Sequence, residues 1–152
     1  MPFRCASFGL LFIAVATTTW GTDLDHTFTQ QAQPLLDRFI ADGFAVVATD
    51  YQGLGVAVGF HPFLIGAPNG KNALDMLRAA RATDPAIGKR YAVVGHSQGG
   101  QADLFTAAEG PAYLPDYTLV GNIAMAPGSH IKARLETLMA SDQTELALPY
   151  LL

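Results

Sequence analysis

The chain has 152 residues, long enough for one domain with a real core. Its net charge is −4, and its nine Lys and Arg form no basic run longer than the pair Lys89-Arg90, so nothing suggests a nucleic-acid or anionic-membrane footprint. No apolar run reaches the ~18–20 residues of a membrane-spanning helix, and the one cysteine, Cys5, excludes an internal disulfide and any cysteine-based zinc site.

Apolar residues make up 50% of the chain and charged ones only 14%, against about 25% charged in an ordinary soluble domain. So little polar surface reads as the inner part of a larger fold whose covering elements are absent.

The first twenty residues admit two readings. Arg4, the apolar stretch Phe8 to Ala16 and an A-x-A site at Ala14-Val15-Ala16 have the layout of a secretory signal. Alternatively, Leu10 to Val15 is a buried parallel strand, ended by the loop Thr17-Thr18-Thr19-Trp20-Gly21. The strand reading leaves a more complete sheet and is the favoured one.

From Thr29 the pattern becomes regular. Pro34 to Asp42 is a helix with Leu35, Leu36, Phe39 and Ile40 on its inner face, stopped by Gly43. Phe44 to Ala48 is a buried strand running into Thr49-Asp50-Tyr51. Gly53, Gly55, Gly59 and Pro62 mark a long loop from Gln52 to Gly70. Lys71 to Thr83 is helical, with Leu74, Leu77 and Ala80 inward, and Asp84-Pro85 closes it. Tyr91 to Val94 is a strand apolar on both faces, and Gln101 to Glu109 a helix halted by Gly110-Pro111. Thr118 to Met125 is a further strand, and Ile131, Leu135, Leu138 and Met139 outline a last amphipathic helix. Strands alternating with helices at this spacing predict an α/β fold, a mostly parallel sheet with right-handed crossovers.

Between the Tyr91–Val94 strand and the helix after it lies Gly95-His96-Ser97-Gln98-Gly99, a G-x-S-x-G match in the strand–turn–helix context of a nucleophile elbow. The turn must be sharp enough to strain the Ser97 backbone, which lifts its hydroxyl clear of the sheet edge. Gly95 and Gly99 flank it because side chains two residues either side have no room. A helix beginning just after the serine points free N–H groups and a positive dipole end at the reacting centre. His96 neighbours Ser97, but successive side chains diverge, so it is expected to pack beside the elbow.

Gly43-Phe44-Ala45-Val46-Val47-Ala48-Thr49-Asp50-Tyr51-Gln52-Gly53-Leu54-Gly55, then His61-Pro62-Phe63-Leu64, then Gly95-His96-Ser97-Gln98-Gly99-Gly100, resembles the secretory lipase family of α/β-hydrolases, with the motifs in order from about Pro34 to Pro127. The resemblance implies an α/β-hydrolase sheet, here incomplete at both ends, and an exported serine ester hydrolase with Ser97 as the acylated nucleophile. Its substrate would be a lipid or small-molecule carboxylic ester. No metal or organic cofactor is implied. A thioesterase, a serine peptidase, or an inactive truncated product are the alternatives.

The oxyanion hole takes one donor from the backbone N–H of Gln98, the residue after the nucleophile. The second belongs to the loop after the preceding strand, Thr17 to Gly21, which departs from the family's usual His-Gly-Thr-Thr-Gly. The family also sets its acid and histidine after the nucleophile, beyond later strands. Here His130 and Asp142 come in reverse order on a helix-like segment and read as solvated helix residues. His26 and His61 precede the nucleophile, on the wrong side of it, and His61-Pro62 reads as a loop-shaping pair. Asp50 and Tyr51, at a strand's carboxyl end, are placed either to line the site or to hydrogen-bond within the loop, and the second is the simpler reading. The triad acid and histidine are therefore expected to be missing from this chain.

Overall fold

The computed structural model describes residues 10–15, 24–54 and 59–141. Four parallel strands, β1 (Leu10–Val15), β2 (Ala45–Val47), β3 (Arg90–His96) and β4 (Thr118–Met125), lie in the order β2-β1-β3-β4. Four helices accompany them: α1 (Leu24–Ala41), α2 (Gly66–Thr83), α3 (Gln98–Tyr113) and α4 (Ile131–Met139). The chain steps outward from β1 to β2, then crosses back over β1 to β3. This reversal makes a switch point between β1 and β3, the place where open parallel sheets hold ligands at the carboxyl ends of their strands. Val15, His96 and Met125 share one register level, so those ends form a common edge.

Right-handed crossovers put α1 on one face of the sheet and α2 and α3 on the other, and the side chains pack accordingly. Strand alternation sends Tyr91 and Val93 toward Ala73, Leu74, Leu77 and Ala102, and sends Ala92 and Val94 toward Leu36 and Phe39. The strand apolar on both faces is thus the one between two helical layers. On β4, one extra residue at the Tyr91/Ala92 register shift changes which side chains face the helices. Asn122 then pairs in register with Val93 and reaches α3, whereas Ile123 pairs with Val94 and remains 55% exposed.

Gly43 stops α1 as expected, at φ 88°. The Phe44 N–H donates to the Phe39 carbonyl and the Gly43 N–H to that of Ile40, both at 3.0 Å, and the two phenylalanine rings meet edge to face at 6.1 Å. This is a Schellman ending complete with its apolar contact. The helix starts earlier than expected, at Leu24, with Pro34 inside it. Its inner face is also narrower. Leu36 and Phe39 pack inward against Ala92 and Val94 of β3, whereas Leu35 and Ile40 are exposed.

Two other boundaries differ from expectation, for one physical reason. α2 begins at Gly66, not Lys71, and α3 runs through Gly110-Pro111 to Tyr113. Glycines that read as loop or stop signals are sites of close packing. A Cβ at Gly66 would lie under 3.0 Å from the Phe105 ring of α3, and one at Gly70 would lie 2.9 Å from the Phe105 Cβ. One at Gly110 would meet the Tyr91 hydroxyl of β3. Pro68 sits in the first turn of α2, where an N–H has no intrahelical acceptor to lose. Beyond Pro111 the last turn of α3 closes through the Leu114 N–H on the Gly110 carbonyl at 2.7 Å. Among the described residues no helix is long and apolar enough to cross a membrane.

Candidate functional site

Ser97 stands between the last residue of β3 and the first of α3, at φ 57° and ψ −116°. A non-glycine residue pays for such a conformation with strain of order 1–3 kcal/mol, so its surroundings must over-determine it. They do so from three directions. The Ser97 N–H donates to the Met125 carbonyl at the end of β4 (3.0 Å), and the Ser97 carbonyl accepts from Gln101 N–H and Gly128 N–H, both at 3.1 Å.

The glycines allow this closeness. A Cβ at Gly95 would lie under 3.0 Å from the Gly99 carbonyl and the Gly100 nitrogen. One at Gly100 would stand 2.7 Å from the Met125 carbonyl oxygen, so this glycine admits the end of the neighbouring strand. Gly99 is buried and supplies the backbone that Gly95 meets.

Ser97 itself is half-buried, and no described residue hydrogen-bonds its hydroxyl. Gln98 opens α3, so its N–H has no intrahelical acceptor four residues back. The expected second oxyanion loop, Thr17 to Gly21, lies outside the described residues. The elbow therefore has a strained serine and a helix N-terminus behind it, set at the switch point of a parallel sheet.

A family model described as secretory lipase matches residues 19–147. The chain belongs to the secretory lipase family. Lipase 5 and Lipase 4 of Candida albicans are each 30% identical to it over 133 residues, which is 84% of this chain and 27% and 28% of theirs. The chain thus spans just over a quarter of the length of these relatives. Among solved structures, a ligand-bound form of the rice cell wall degrading esterase LipA from Xanthomonas oryzae aligns with a TM-score of 0.69 and 26% identity, over 91% of this chain and 38% of that one. Candida antarctica lipase A in its closed state aligns at a TM-score of 0.58 and 22% identity, over 80% and 31% of the two chains, a likeness of fold. The α/β-hydrolase class expected from the sequence stands.

Within this secretory lipase core the histidines are scattered. His96 ends β3 exposed, not packed beside the elbow, because alternation turns it to the Val94 side, where neighbouring Ile123 of β4 is also uncovered. His130 precedes α4 at φ 53°, exposed, with Nδ1 3.3 Å from the Ser129 hydroxyl. Asp142 lies outside the described residues, and His26 falls in α1. His61 is the histidine that reaches the elbow. Its Nε2 is 2.6 Å from the Gln98 side-chain nitrogen, and its Nδ1 is 3.1 Å from the Gln52 carbonyl. A loop-shaping role for His61 was legible from Pro62 beside it; its contact with Gln98 was not.

Beneath the elbow lies a polar cluster that the sequence did not reveal. Asp103 on α3 is fully buried, and its carboxylate and backbone carbonyl both accept from the Asn122 side chain, while its carbonyl also takes the Thr106 hydroxyl at 2.6 Å. Burial lifts the Asp103 carboxyl to about 7, against the opposing pull of Asn122 and of the Ile123 N–H. Tyr51, buried and at φ 62°, is pushed up as well, by burial first and then by the Asp103 charge. Among the described residues, the Tyr51 hydroxyl and Asp103 Oδ2 are both buried without a hydrogen-bond partner.

A pH dependence follows. The native Asp103 holds a proton between about 4 and about 7, where the unfolded carboxyl has released it. Stability from this group is therefore complete below pH ~4 and falls as pH rises toward ~7. Asp103→Asn is expected to melt above the parent protein at pH 8, by a margin on the order of a few kcal/mol, and to converge with it near pH 4. Thermal melts across that range check this; a constant difference between the two proteins would mean that Asp103 ionises like an exposed carboxylate.

Proposed function

We propose that this protein is a carboxylic-ester hydrolase acting through an acyl-enzyme on Ser97, and that residues 1–152 form part of one α/β-hydrolase domain. The observation that carries the reading is the backbone of Ser97, strained at φ 57° and pinned on both sides at the mouth of α3. Its membership of the secretory lipase family supports the same chemistry and an exported protein. Relatives described as lipases and as an esterase support a lipid or small-molecule ester as substrate.

In this mechanism a base takes the Ser97 proton as Oγ attacks the ester carbonyl. The negative oxygen that forms is held by the Gln98 N–H, the alcohol leaves with a proton, and water then releases the acyl group. The base comes from outside the described residues. Among the described residues no histidine hydrogen-bonds the Ser97 hydroxyl: His96 and His130 are exposed, and His61 is engaged by Gln98 and Gln52. Gly95 and Gly99 give the elbow its room, and His96 is the exposed residue just before the nucleophile.

A fluorophosphonate probe tests the assignment, since its phosphorus is attacked by an activated serine with loss of fluoride. Labelling is expected at one serine, mapped by peptide fragmentation to Ser97, and is expected to vanish in Ser97→Ala. Labelling that persists in the variant would place the nucleophile elsewhere.

A further inference from the structure

We propose that His61 is a positioning residue for the elbow: it locks the Gln98 side chain and thereby fixes the direction of the Gln98 backbone N–H. The hydrogen-bond link stands on geometry alone, and its catalytic consequence rests on the ester-hydrolase reading above.

The link begins with what each atom can do. A carbonyl only accepts, so the contact of His61 Nδ1 with the Gln52 oxygen requires the ring hydrogen on Nδ1. In the neutral ring Nε2 is then an acceptor, and the Gln98 amide nitrogen, 2.6 Å away, is a matching donor. Gln98 is only 3% exposed, so without His61 that amide would be left buried and unsatisfied. The ring is held on its flanks by Tyr51, with centroids 5.6 Å apart, and by Phe63 at 6.0 Å.

A second link runs parallel to the first. Gln101, one turn further along α3 and also buried, donates its side-chain nitrogen to the Leu64 carbonyl at 3.0 Å. The segment His61–Leu64 is therefore gripped twice by the first turn of α3. Its own geometry is set independently. Leu64 sits at φ 56°, the Pro62 carbonyl takes the Ile65 N–H (3.1 Å) and the Asn69 side chain (3.2 Å), and Gly53 lacks the Cβ that would strike the Phe60–His61 peptide. A rigid segment holding both glutamines restrains the first turn of α3, which carries the candidate oxyanion donor. A donor aimed in advance need not reorganise as the oxyanion forms.

Two measurements on the full-length encoded protein test this. In the ring-nitrogen NMR spectrum of histidine-labelled protein, His61, identified by its loss in His61→Phe or, if that variant does not fold, in His61→Gln, is expected to carry its proton on Nδ1 with a bare Nε2. Its signals are expected to move in Gln98→Leu. A proton on Nε2, or a spectrum indifferent to Gln98→Leu, overturns the link. In ester hydrolysis, Gln98→Leu and His61→Phe each keep the Gln98 backbone N–H and are expected to lower kcat by about 10- to 100-fold with KM within about 3-fold. The double variant is expected to lose no more than the worse single one, because both partners of one bond are then gone. Additive losses, or lowered melting temperature with kcat intact, would reduce His61 to a structural residue. If the parent protein shows neither turnover nor Ser97 labelling, the ester-hydrolase reading fails, and the ring-nitrogen spectrum still decides the link.

Discussion

Ser97→Ala is expected to lower kcat for p-nitrophenyl butyrate hydrolysis by the full-length encoded protein by a factor on the order of 10⁴–10⁶, with KM little changed. The size follows from what the substitution removes and what it spares. The atom that forms the acyl bond is lost, so the covalent route closes. The Gln98 N–H and the helix N-terminus behind it remain, and they sustain a residual acceleration over water of about 10³–10⁴. The backbone at 97 is fixed by hydrogen bonds from its N–H and to its carbonyl, none of which involves the hydroxyl, so the turn should survive. The variant is expected to fold and to bind ester. Initial rates against the parent protein, with a melt to verify folding, check this. Turnover within about 10-fold of the parent would exclude Ser97 as the nucleophile.

Gly95→Ala is expected to be among the most destabilising single substitutions in the chain, costing upward of about 4 kcal/mol. Inserting a methyl group into a packed core ordinarily costs about 1–3 kcal/mol, because side chains shift to absorb it. At Gly95 the new Cβ meets the Gly99 carbonyl and the Gly100 nitrogen, both main chain and both under 3.0 Å. Relief requires the first turn of α3 to lift away from β3, which pulls Ser97 from the Met125 and Gly128 contacts that sustain its strain. Gly121→Ala on β4 is the control, since its Cβ would meet the Ala92 Cβ at an ordinary 3.5 Å. Denaturant melts should separate the two by several kcal/mol, and Gly95→Ala should also lose fluorophosphonate labelling. Equal midpoints for the two variants would refute the close approach at the elbow.

The elbow was legible from sequence because its causes are local. A buried strand, a five-residue turn and a helix follow one another without a gap, and the strain at Ser97 and the bare Gly95 are consequences of that short path. Strand identity was legible for the same reason, as alternation and apolar runs depend on near neighbours. The glycines at 66, 70 and 110 were misread because glycine signals a turn and a close approach with the same letter. Only the ring of Phe105 and the hydroxyl of Tyr91, brought in by the crossover, distinguish the two meanings.

The candidate site shows the same division. The sequence by itself determined the strand, the tight turn at Ser97 and the helix that begins at Gln98. Which side chains would support them was decided by the tertiary structure. The bonds from Gln98 to His61 and from Gln101 to Leu64 each span 37 residues, and that from Asn122 to Asp103 spans 19. The last exists because one extra residue on β4 turns Asn122 toward α3. Periodicity states which face of an element is buried, but not what lies opposite. That depends on strand order, register and the depth at which two helices meet, which are set by the packing of the whole sheet.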